Sequence, residues 1–88
     1  MQLFVPSDTQ FPNLEIIRQV LEDMGGSEEV EFSNGSGAAV LRWSHMRGTK
    51  YNVHIAIPRH WLVETNGAGK LMNAARHFAS NVRFASTR

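Results

Sequence analysis

The spacing of apolar residues changes twice along this chain, and that change limits the fold more than any single motif. Leu14, Ile17, Val20, Leu21 and Met24 recur at the helical period, so one side of this segment is apolar. Asn13 stands where an N-cap belongs, with Ser7 and Gln10 as a competing capping-box start. Gly25–Gly26 closes the segment, because glycine takes a left-handed cap conformation at no steric cost. Alternation then takes over: Val30 and Phe32, next Ala39, Leu41 and Trp43, then Tyr51, Val53, Ile55 and Ile57. Asn34–Gly35 predicts a tight hairpin between the first two runs, and Arg47–Gly48–Thr49 a second turn. Pro58 ends the third run. The helical period returns in Ala68, Leu71, Met72, Ala75, Phe78, Ala79 and Val82.

The predicted order is helix, three strands, helix, an α+β arrangement. Its economical packing is a three-stranded antiparallel meander with both helices on one face. Leu3–Val5, stopped by Pro6, adds at most a short N-terminal edge strand. Glu29, Glu31, Ser33, Arg42, Ser44, Asn52 and His54 then form a polar outer sheet face, while Trp43 belongs to the core. With 88 residues the expectation is one domain, with a core over 13–83 and a tail over 84–88 that carries no clear signal.

Composition narrows the class. Without cysteine there is no disulfide scaffold, thiolate zinc site or cysteine nucleophile. A hydrophobic fraction of 42% and a net charge of +1 speak against intrinsic disorder. No apolar run nears the roughly 20 residues of a membrane span. The opening MQLFVPSDTQ lacks the basic and apolar regions of a secretory leader. A small cytoplasmic domain with no membrane association is the expectation.

The small net charge conceals a split. Residues 1–31 hold seven acids and one base (Arg18), a net of −6; residues 32–88 hold eight bases and one acid (Glu64), a net of +7. All four histidines, His45, His54, His60 and His77, fall in the basic part. Such asymmetry points to nucleic acid or an acidic partner. Internal pairing, with an acidic helix beside a basic one, explains it equally well.

Few residues form a chemical constellation. The histidine spacings match neither a zincin helix nor a zinc finger, so no metal is expected. Gly67–Ala68–Gly69–Lys70 resembles a phosphate loop only in part, since Leu71 stands where a Walker loop needs Ser or Thr. A helix N-terminus with Lys70 still suits a single phosphate, although the glycines are explained as well by a tight connection. Arg42, Lys50, His54, Arg59, His60 and Lys70 are the candidate nucleic-acid contacts, with Trp61 available for stacking. No cofactor is implied.

Several short motifs support a resemblance. The segment Leu14–Gly26, the Gly35–Ser36–Gly37 run, Ile57–Pro58–Arg59–His60 and the helix opening at Gly67 follow one another as in a known family. The chain resembles the HicA-type (YcfA-like) toxins, small ribonucleases with a double-stranded-RNA-binding-like fold, over about residues 13–80. The resemblance implies binding to structured RNA and contact with an antitoxin protein. Gly37, however, stands where the family carries its catalytic histidine, and glycine cannot transfer a proton. The resulting expectation is a domain that binds RNA and has lost cleavage. The alternatives are a stand-alone interaction protein, such as a phage-encoded inhibitor, offering its acidic helix or a strand edge, and an active ribonuclease using His45 or His60. A homodimer fits a domain this small.

Overall fold

A computed structural model describes residues 1–45 and 52–87. The elements run β1 (Gln2–Phe4), α1 (Leu14–Met24), β2 (Glu29–Asn34), β3 (Ala39–Trp43), β4 (Val53–Ile57), α2 (Arg59–Val63), a 3-10 turn (Thr65–Gly67) and α3 (Ala68–Ser86). The strands form one sheet in the order β1-β2-β3-β4, with β1 parallel to β2 and the other pairs antiparallel. The fold is α+β as expected, but the sheet is four-stranded and mixed rather than a three-stranded antiparallel meander. The reason lies in α1: it carries the chain from the end of β1 back to the start of β2, and such a crossover makes its two strands parallel.

The predicted stripes are the buried ones. Leu14, Ile17, Val20 and Leu21 of α1 and Leu71, Ala75, Phe78, Ala79 and Val82 of α3 meet Leu3, Val30, Phe32, Ala39, Leu41, Trp43 and Ile57 of the sheet. Both helices lie on that one face, α1 against β1 and α3 against β4, with α1 and α3 side by side. The chain therefore forms two layers around a single core. The helical period continues past the expected tail, and α3 runs to Ser86.

Local chemistry explains the corners. Gly25 and Gly26 adopt φ of 73° and 91°, the left-handed region that favours glycine, and they end α1 as predicted. The Met1 ammonium donates to the carbonyls of Leu21, Gly25 and Gly26 at 3.0–3.2 Å, occupying the C-terminal end of that helix. Asn13 precedes α1 but does not cap it. Its side-chain amide donates instead to the carbonyls of Trp61 at 2.7 Å and Glu64 at 2.9 Å, tying α1 to α2. Ser7 and Gln10 lie in the loop before it.

The hairpin also differs from expectation. Asn34 ends β2 and Ala39 begins β3, so Gly35–Ala38 form a four-residue connection closed by Gly35 N–H donating to the Ala38 carbonyl at 3.2 Å. Neither Asn34 nor Gly35 takes the positive φ of a two-residue turn. Arg59 takes part in this corner, its guanidinium donating to the Asn34 side-chain oxygen at 2.9 Å and to the Gly35 carbonyl. The second predicted turn, Arg47–Thr49, lies outside the described residues, as does Tyr51.

A candidate nucleic-acid interface

The charge split along the chain becomes a split in space. Residues 1–31 build β1, α1 and the start of β2; residues 32–88 complete β2 and build β3, β4, α2 and α3. With the strands in the order β1-β2-β3-β4, the acids other than Glu64 lie on the β1 side and the described basic side chains other than Arg18 on elements of the β4 side. Asp8, Glu15, Glu22, Asp23, Glu29 and Glu31 are exposed on the acidic side. The seam holds Arg42 Nε against Glu31 at 3.2 Å, and Arg83 donating to the Met24 carbonyl at 2.8 Å. An acidic helix does rest beside a basic one, but the contact between them is mainly apolar.

On the basic half α3 is the most regular element. Its 19 residues, about 28 Å by helical rise, contain Lys70, Arg76 and Arg83 and no acid at all. Lys70, Arg76, His77 and Arg83 are exposed, and the apolar stripe holds the helix by its opposite side.

The candidate contacts read from the sequence fall into two groups. Arg42 and His54 are cross-strand neighbours on the open face of the sheet, in a row with Phe4 and Glu31. Arg59, His60 and Lys70 gather at the other place, the hairpin end, where α2 and the start of α3 meet. No single surface holds both groups. Arg42 is engaged with Glu31, and Arg59 with the hairpin, while His60 and Lys70 stand exposed. Lys50 lies outside the described residues. Arg76, His77 and Arg83 were not among the candidates, although the absence of acids from residues 68–86 was visible in the sequence.

The phosphate-loop features read differently in three dimensions. Gly67 is buried, and a Cβ there would lie 2.5 Å from Trp61 Cα. The glycine is thus required by close backbone packing. Its N–H donates to the Glu64 carbonyl and that of Ala68 to Thr65, so neither is free for an anion. Trp61 is partly buried against the core, with its ring edge-on to His60 at 6.2 Å between centroids.

His45 and His60 stand at opposite ends of the sheet, one beyond β3 and the other beyond β4. Strand rise alone puts them about 15 Å apart, so they cannot share one acid–base step. His45 rests its ring on Trp43 with centroids 4.6 Å apart, and Gly37 sits exposed in the hairpin with open space around it. Among the described residues no three His, Asp or Glu side chains converge on a metal position, and no helix is long and apolar enough to cross a membrane.

No known protein family, curated protein or solved structure matches the chain.

Proposed function

We propose that this domain binds structured RNA through the phosphate backbone with its basic half and does not cleave it. The observation that carries this reading is α3: an exposed cationic face on a 19-residue helix that contains no acid. Lys70, Arg76 and Arg83 would contact phosphates, and His60 and His77 would add hydrogen bonds to phosphate or sugar. The acids on the other half make the molecule a dipole, which orients it as it approaches a polyanion. The reading agrees with the resemblance to the HicA-type toxins, and Gly37 in place of their catalytic histidine is the reason cleavage is left out. Titration of a labelled RNA duplex, followed by anisotropy, tests it. Binding should weaken as salt rises, with a log–log slope of about −2 to −3 for the three cations, and the RNA should stay intact. Absence of binding at low salt would reject the reading.

A second reading, contact with a protein partner, is favoured by the open sheet face. Phe4 is 46% exposed there, in a row with Glu31, Arg42 and His54, beside a groove of about 630 Å³ lined also by Glu29 and His45. Phe4→Glu should abolish such a complex and leave RNA binding unchanged.

A further inference from the structure

We propose that β4 is a self-association edge, along which two copies of the chain pair antiparallel about a two-fold axis at Ile55. The two edges of the sheet are finished differently. β1 is three residues long, Pro6 follows it closely, and the Arg18 guanidinium on α1 occupies the Leu3 carbonyl at 3.2 Å. These are the usual means by which an edge is kept from pairing. β4 shares only the following proline, Pro58, and has neither the short length nor a side chain on its carbonyls among the described contacts. Its five residues, Val-His-Ile-Ala-Ile, contain no lysine, arginine, acid or proline, and among the described residues no strand pairs with its outer side.

Burial adds a second argument. The side chains of β3 that face the helices, Ala39, Leu41 and Trp43, are all buried. In β4 only Ile57 is fully buried, whereas Val53 and Ile55, on the same face, pack against the core and stay partly exposed. α3 packs against β4 without fully covering these two side chains. A neighbouring strand would place an apolar side chain beside each of them, about 5 Å away.

The sequence of β4 also fixes the partner and the register. Directly opposed residues of an antiparallel pair share a face, so any symmetric pairing centred on a residue keeps Val53, Ile55 and Ile57 on one side. Centring on His54 or Ala56 pairs only three positions, and the former sets two histidines against each other. Centring on Ile55 pairs all five positions. Ile55 then meets Ile55 of the second copy, Val53 meets Ile57, and His54 meets Ala56, so no like charges oppose one another. The interface is isologous and closes on itself as a dimer with an eight-stranded sheet. Both basic halves then lie next to the axis and both acidic halves at the outer ends.

The absence of cysteine makes the test clean. The wild-type chain should sediment at twice its 9.9 kDa mass as concentration rises into the high micromolar range. Under mild oxidation Ile55→Cys should form a disulfide-linked dimer at least about tenfold faster than Ala56→Cys, because only position 55 comes within bridging distance of its own copy. A monomeric wild type across that range would overturn the proposal, whatever the variants do. Equal cross-linking at 55 and 56, or none at 55 in a dimeric protein, would overturn the register.

Discussion

The acidic and basic halves are built from the same kinds of element and are finished in opposite ways. The half formed by β1, α1 and β2 is closed: its edge strand is short, Arg18 takes up a carbonyl there, and the Met1 ammonium occupies the end of α1. The half formed by β3, β4, α2 and α3 keeps a five-residue edge that no strand among the described residues pairs with, and an uncovered cationic helix. An apolar core joins them, so the core does not favour either half as a binding surface. The difference lies in polar residues at the surface, which cost little stability and determine what the surface can meet.

The largest disturbance of this comparison comes from the joint that seats α3. Gly67→Ala puts a methyl 2.5 Å from Trp61 Cα, and the backbone there cannot yield as a flexible side chain would. We expect a loss of about 3 kcal/mol, read as a fall of about 12–24 °C in melting temperature. Gly69→Ala, two residues on, meets nothing within 4 Å and lies in α3, so it should stabilise by up to about 1 kcal/mol. Matching losses at both positions would show that sterics at Trp61 are not the cause.

Asn13→Ala should cost about 1–2 kcal/mol in chemical denaturation, because it leaves the Trp61 and Glu64 carbonyls without the amide that ties the acidic half's helix to α2. Replacement by serine, a good N-cap that cannot reach both carbonyls, should not restore it. The smallest effect belongs to the seam. Arg42 and Glu31 side chains are 33% and 50% exposed, so a double-mutant cycle should give a coupling of about 0.5 kcal/mol or less. A much larger coupling would mean that the halves are held together by charge rather than by the core.

How far the sequence revealed this depends on the range of the interactions involved. The stripes of α1 and α3 and the alternation of β2 and β3 were legible, because burial at a fixed spacing is a one-dimensional pattern; Ile17, Phe78 and Leu41 are each fully buried. β1 was visible only as a short apolar run, since its parallel partner lies 27 residues away at Glu29–Glu31. α2 carried no period long enough to read, and Asn13 looked like a cap because its real partners, 48 and 51 residues distant, leave no local trace. The candidate site was half legible. The charge split was countable, but that Arg42 and Arg83 would be engaged at the seam, Arg59 at the hairpin, and Arg76 exposed without such a contact, depends on the packing of α3.

The central claim is that the basic half alone meets RNA. Its most direct test compares two double charge reversals, Lys70→Glu with Arg76→Glu and Glu22→Lys with Asp23→Lys, in one RNA-duplex titration at two salt concentrations. The account predicts that the first pair lowers affinity at least about tenfold and reduces the salt slope by about 2, while the second pair leaves affinity unchanged or raises it. Equal affinity in the first pair and the wild type, with the fold intact by circular dichroism, would contradict it.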